Sequence, residues 1–407
     1  MSIAVAAVFV SLGLIALSPG ARAESLTPAT HAALSGPDHA ATVVCFGDSI
    51  TGVYYHTGGI RAYPEMLQLA LSRQYPGAKV KVVNAGISGN TTVQALARIE
   101  RDVLAHRPQL VTIKFGMNDV TGVPPETYRQ NLLEIVARCR GIGSEVILCT
   151  PNNIYDEDPR RPMTKLAEYS GIVRAVAAEQ GLPVVDFFAE YERIRKTDLR
   201  RWMLLMSETI HPGMQGHKLF AEMLARAISG REISLADADP LPPFVPRTAA
   251  LIKAGVPVNV VAMPPAASLI APALASLDAG AQVNVTEWPL GDGSLASLEN
   301  WGKGVRGLKP DLVLIAVPAT ATYANDEQFV RSYSWIVNWS LSFGRREWDC
   351  VAILPSVFKP ELTEAERAAE AFALDVIRGN DIPWVSRADG DQRDGFEILK
   401  SWLQANY

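Results

Sequence analysis

The chain has 407 residues, of which 48% are hydrophobic and 20% charged, with a formal net charge of -5. That length exceeds one ordinary hydrophobic core and points to two domains of about 150 to 200 residues each. Ordinary globular composition with a mildly negative charge excludes the basic footprint of a nucleic-acid binder and gives no attraction to anionic lipid.

Residues 3–17 are apolar, Pro19-Gly20 breaks the run, and Ala21-Arg22-Ala23 has the small-x-small pattern that signal peptidase cuts. The expectation is a signal peptide over 1–23, cleavage after Ala23, a secreted or periplasmic mature chain without a stable membrane span, and a disordered leader over 24–40. The n-region departs from the pattern in carrying no Lys or Arg. Four cysteines, Cys45, Cys139, Cys149 and Cys350, form no C-x-x-C pair and imply neither a disulfide framework nor a metal or redox centre. No cofactor is expected.

From Thr42, β-branched runs at 43–46, 79–83, 110–115, 145–149 and 184–187 alternate with amphipathic windows at 63–74, 92–105, 125–140, 164–180 and 214–227. Such alternation predicts a parallel sheet with crossover helices, and ligands of open parallel sheets bind outside the carboxyl ends of the strands. The first domain is expected over 41–230, a proline-dense linker over 231–248 and a second α/β domain over 249–407.

Four motifs sit where that rule puts a site. Phe46-Gly47-Asp48-Ser49 follows the first strand and offers a serine at a strand-to-helix turn, Gly47 permitting the tight path. Gly86-Ile87-Ser88-Gly89-Asn90 follows the second, with Gly89 offering a backbone N–H and Gly86 suited to close packing below it. Gly116-Met117-Asn118-Asp119 follows the third and offers the Asn118 amide. Glu208-Thr209-Ile210-His211-Pro212 precedes the last helix and supplies an imidazole with a carboxylate three residues before it. A serine hydroxyl needs a base, and the developing oxyanion needs preorganised donors, each worth about 3 to 4 kcal/mol. Ser49 as nucleophile, His211 as base, Glu208 as its acid, and Ser49, Gly89 and Asn118 as oxyanion donors fill those roles. His217 reads as structural, and His56 and His106 as surface or loop histidines.

Residues 42–227 resemble the SGNH, or GDSL-type, hydrolase family on those four motifs, with Ser49, Gly89, Asn118 and His211 at its four signature positions. The resemblance implies a flavodoxin-like α/β/α sandwich, no metal, and hydrolysis of carboxylic esters. Glu208 departs from the family's Asp-x-x-His pattern. The phrase around Glu208 and His211 looks most like the carbohydrate acetylesterase branch, so a small ester or acetylated carbohydrate is the implied substrate.

The second half repeats the first in pattern. Arg107-Pro108-Gln109-Leu110-Val111 aligns with Lys309-Pro310-Asp311-Leu312-Val313, residues 145–151 with 349–355, and 181–185 with 381–385. Ser49 falls near Pro264 and Asn118 at Thr320, and all six histidines precede the linker, so this copy is expected to lack chemistry. Seven of the eight tryptophans lie in it, as core, as interdomain surface or as sugar platforms. Two other readings stay open: a lysophospholipase with the same machinery, and a glycan- or partner-binding protein with a vestigial esterase half. The oligomeric state is not legible.

Overall fold

The computed structural model describes residues 24–37 and 39–407, so the expected signal peptide lies outside the described residues. Helix α1 (Pro28–Ser35) leads into β1 (Ala40–Gly47), α2 (Tyr63–Gln74), β2 (Lys79–Gly86), α3 (Thr92–Asp102) and β3 (Leu110–Lys114). Then come α4 (Pro125–Gly141), β4 (Glu145–Cys149), α5 (Met163–Gln180), β5 (Val184–Val185), α6 (Phe187–Thr197), α7 (Leu199–Leu205) and α8 (Met214–Ser229). All pairings are parallel, in the order β2-β1-β3-β4-β5. The interior strands read as continuous apolar runs because helices cover both faces, α2 lying on α8 and α3, α4 and α5 side by side.

The second half runs α9 (Pro246–Lys253), β6 (Val258–Ala262), α10 (Ala266–Ala275), β7 (Val283–Glu287), α11 (Leu295–Gly302), α12 (Val305–Leu308) and β8 (Leu312–Ile315). It ends with α13 (Asp326–Trp339), β9 (Asp349–Ile353), α14 (Glu364–Gly379), β10 (Trp384–Val385) and α15 (Gly395–Asn406). Its sheet order, β7-β6-β8-β9-β10, is that of the first sheet. The protein is therefore two α/β domains of one topology. No helix among the described residues is long and apolar enough to cross a membrane.

The repeat extends to hydrogen bonds. Gln109 Oε1 accepts from Thr42 N (2.6 Å), and Asp311 Oδ2 accepts from Asn259 N (2.9 Å). Arg107 (φ 45°) and Lys309 (φ 47°) share the left-handed conformation before β3 and β8, as do Gly181 (φ 58°) and Asp381 (φ 53°) before β5 and β10.

This symmetry corrects the expected disordered leader. Glu145, opening β4, accepts from Ala29 N (2.9 Å), Thr30 N (2.7 Å) and Thr30 Oγ1 (2.6 Å) at the start of α1. Asp349, opening β9, accepts in the same way from Thr248 N and Thr248 Oγ1, both at 2.8 Å, at the start of α9. The leader is thus the counterpart of α9, with a carboxylate neutralising its free N–H groups. Its Leu34 is buried in the core. The proline-rich stretch is likewise packed, burying Leu235, Ala238 and Val245.

The halves meet through α7 and α8 against α13 and α14, and through residues 55–61. At the centre Arg61 Nε and Nη2 donate to Asp381 at 2.6 and 2.8 Å, with Nη2 also on Ala238 O (3.0 Å) and Asp239 O (2.7 Å). Only 7% and 2% of the two side chains are exposed. Gly58 and Gly59, both at positive φ, let this segment approach: a Cβ on Gly58 would lie 2.8 Å from Asp381 O, and one on Gly59 2.9 Å from Arg346 N. Arg61→Ala, which strands the buried Asp381 carboxylate, is expected to cost about 3 to 5 kcal/mol, read as a lower urea midpoint by near-UV circular dichroism.

Candidate active site

Ser49, the 86–90 loop and Asn118 follow β1, β2 and β3, three adjacent strands, so their turns converge on one carboxyl edge of the sheet. No helix follows Ser49 directly, against the expected strand-to-helix turn. It sits in a turn closed by Thr51 N and Gly52 N on Asp48 O (both 3.1 Å), with Ile50 N on Asp48 Oδ1 (2.9 Å), and α2 begins only at Tyr63. A Cβ on Gly47 would lie 2.8 Å from Lys114 O, which is why the strand leaves through glycine.

The turn 207–211 brings the remaining groups together. Ser49 Oγ lies 2.8 Å from His211 Nε2, and His211 Nδ1 is hydrogen-bonded to Glu208 Oε1. The same Glu208 oxygen accepts from His211 N (2.7 Å) and Ile210 N (3.3 Å), while Ser207 N donates to His211 O (2.9 Å). The extra methylene of a glutamate is taken up by folding its carboxylate back over its own turn. Burial alone would raise the Glu208 carboxyl, but the adjoining imidazole and the two backbone N–H groups hold it below its usual range. On the first-half side the turn is held by Tyr155 N on Thr209 O (3.0 Å) and Asn152 Nδ2 on Ile210 O (3.3 Å).

Gly89 is exposed, with φ 73°, and a Cβ there would meet nothing. Its need for glycine is conformational, whereas Gly86 packs directly under Thr51 and Gly52. Asn118 Nδ2 donates to Asn90 O (3.1 Å) and its Oδ1 accepts from Arg161 Nη2 (3.3 Å), so the amide is oriented with one N–H unspent. Buried Arg98 ties the strand ends together through Gly47 O (2.8 Å), Ala85 O (2.9 Å) and Asn90 Oδ1 (2.8 Å). Sequence reasoning missed Arg98 and Arg161. Arg98 carries a weak signal as a cation on the apolar stripe of α3; Arg161, 43 residues from its partner, carries none.

His56 corrects the reading as a surface histidine. It is 2% exposed and stacks flat on His211, with ring centroids 4.1 Å apart and planes 11° apart. Burial first, then neighbouring His211 and His217, push it well below the usual histidine range, so it is neutral. His217 is fully buried on the first turn of α8, accepting from Tyr63 N at 2.9 Å. His106 is exposed. Among the described residues no group of three His, Cys, Asp or Glu is arranged to hold a metal, and all four cysteines are buried and free.

In the second half, pairing register sets Ala266 opposite Ser49, two residues beyond the expected Pro264, and Thr320 opposite Asn118. Its tryptophans pack mainly on one another and on other aromatic rings: Trp288 on Trp301, Trp335 on Trp339, and Trp402 on Phe244.

A model of the GDSL-like Lipase/Acylhydrolase family matches residues 45–219. The chain is 32% identical over 171 residues to an acetylxylan esterase of Geobacillus stearothermophilus, covering 39% of this chain and 76% of that protein. It is 28% identical over 194 residues to thioesterase 1/protease 1/lysophospholipase L1 of Escherichia coli K12, covering 46% and 83%. Among solved structures, a lipase/acylhydrolase from Enterococcus faecalis superposes with a TM-score of 0.42 at 29% identity, covering 47% of this chain and 97% of that one.

Asp119 provides a pH test of the loops. Its carboxylate accepts from Thr92 N (2.8 Å), Thr92 Oγ1 (2.6 Å) and Gly116 N (3.1 Å), yet burial pushes its pKa up from 3.8 to about 6. A folded-state pKa above the unfolded one means the protonated acid favours folding. That contribution is full below pH 3.8 and is lost as pH rises through about 6. The stability of the wild type relative to Asp119→Asn is therefore expected to fall by about 3 kcal/mol from acid to neutral pH, measured by urea titration across that window.

Proposed function

The chain belongs to the GDSL-like lipase/acylhydrolase family and is a carboxylic ester hydrolase, and we propose that it works through an acyl-enzyme on Ser49. The observation that carries the reading is the unbroken chain from Ser49 Oγ through the His211 ring to Glu208. His211 Nε2 takes the serine proton as Oγ attacks the carbonyl carbon. Glu208 fixes the ring tautomer and faces the imidazolium that forms. The backbone N–H groups of Ser49 and Gly89 and the free N–H of Asn118 receive the oxyanion. His211 then protonates the leaving alcohol, and water, deprotonated by the same nitrogen, releases the acid.

We propose short acyl groups, acetyl esters of carbohydrates above all, as the substrate class. The support is the likeness to an acetylxylan esterase and the phrase around His211. A lipid-directed reading draws on the similarity to thioesterase 1/protease 1/lysophospholipase L1. We further propose that the chain is exported, on the pattern over residues 1–23, and that the second half takes no chemical step, since it holds no histidine.

Ser49→Ala is expected to lower kcat/KM for p-nitrophenyl acetate by at least about 10³-fold, and Glu208→Gln by about 10² to 10⁴-fold through the wrong imidazole tautomer. Parallel rates on the octanoate ester decide the acyl group: serine-dependent turnover favouring acetate supports the small-acyl reading, and a preference for octanoate replaces it with the lipid one.

A further inference from the structure

We infer that Asn338 and Asn380, side chains of the half without the triad, are positioning residues for His211, so that the second domain is a built-in brace of the catalytic turn. This rests on the proposed roles of Ser49, His211 and Glu208. Ser207, adjacent to Glu208, is 2% exposed and makes its side-chain hydrogen bonds across the join. Its Oγ lies 3.1 Å from Asn338 Oδ1 and 3.4 Å from Asn380 Oδ1, while Asn338 Nδ2 returns a bond to Ser207 O at 3.2 Å. Both asparagines are almost fully buried, at 0% and 1%. Asn380 is oriented in turn by donating from Nδ2 to Val376 O (2.9 Å). At the other end of the turn, a Cβ on Gly213 would lie 2.5 Å from Gly379 O, so the chain leaves it pressed against the same segment of the second half.

The face of His211 is braced from the same side. His56, stacked on it, follows Tyr55, whose N–H donates to Phe343 O (3.4 Å) and whose ring packs on Trp335 and Phe343 with the Arg306 guanidinium 4.7 Å above it. The imidazole thus has its edge on a turn pinned by Asn338 and Asn380 and its face on His56, whose neighbour Tyr55 packs on Phe343 and Trp335. Among the described residues, first-half hydrogen bonds to the turn reach Thr209, Ile210 and His211, while Ser207, next to Glu208, is held by Asn338 and Asn380 of the second half.

The test uses the full chain and compares the wild type with Asn338→Ala, Asn380→Ala and a control, Arg200→Ala, which removes an ion pair to Asp326 (3.8 Å) across the same join. Each asparagine variant is expected to lower kcat for p-nitrophenyl acetate by about 10- to 100-fold with KM within about twofold, since a small misplacement of the base is felt in the chemical step. Each should also shift or broaden the downfield proton resonance of His211 Nδ1–H, with the control unchanged in both readouts. If Asn338→Ala does not fold, Ser207→Ala removes the hydroxyl from the same network and carries the same expectation. Folded asparagine variants with wild-type kcat and an unchanged resonance overturn the brace. The resonance does not depend on turnover, so a wild type inert toward esters would defeat the esterase mechanism while leaving the brace separately readable.

Discussion

The buried pair of Arg61 and Asp381 decides how the two halves meet, and the environment of the site depends on that docking. A buried ion pair returns little net stability, because desolvation consumes most of the Coulomb gain, but either charge alone is costly. Dockings that separate the two are therefore penalised strongly, while the observed one satisfies Arg61 with the Asp381 carboxylate and two carbonyl oxygens. Gly58, Gly59 and Gly213 then let first-half backbone lie against second-half backbone at distances a side chain would forbid. These contacts carry the segment that holds His56 and the turn that holds His211.

One topology in both halves accounts for what they share, and its carboxyl edge is where they differ. The retained features are those that any copy of the topology needs: the strand order, the left-handed residues entering β3 and β8, and the acidic residue that neutralises the leading helix. The differing positions sit at the carboxyl edge, where Ala266 and Thr320 stand opposite Ser49 and Asn118. Folding constrains the first set in both copies. The fold does not depend on the second set, and in the second half it is α13 and α14 that form the face meeting the first.

Local pattern made much of this legible, and distance hid the rest. The run at 145–149 and the helix at 63–74 match β4 and α2 to the residue, because β-branched runs and an amphipathic window are local signals. Helices α6 and α7 carry no separate signal behind the two-residue strand β5, and α1 depends on a partner, Glu145, that lies 115 residues from Thr30. The triad candidates were visible because three of their motifs follow strands and the fourth precedes the last helix. Whether Glu208 reaches His211 turned on side-chain rotamers and was not visible. His56 is hidden for a related reason: a histidine between tyrosine, threonine and glycines looks like a loop, and what buries it includes the ring of His211, 155 residues on, beside Tyr55, which packs on Phe343 and Trp335.

Stacking two imidazoles has a chemical consequence. Rings 4.1 Å apart and nearly parallel cannot both be cations in so dry a setting, and burial has already settled which one stays neutral, His56. In the proposed mechanism the charge on His211 would form between the Glu208 carboxylate at its edge and the face of the His56 ring. Both partners are already in place, so no group has to reorient as the charge forms. A second protonation is blocked by the same burial. Neutral His56 is thus suited to back a base that, in the proposed mechanism, cycles between its free and singly protonated forms.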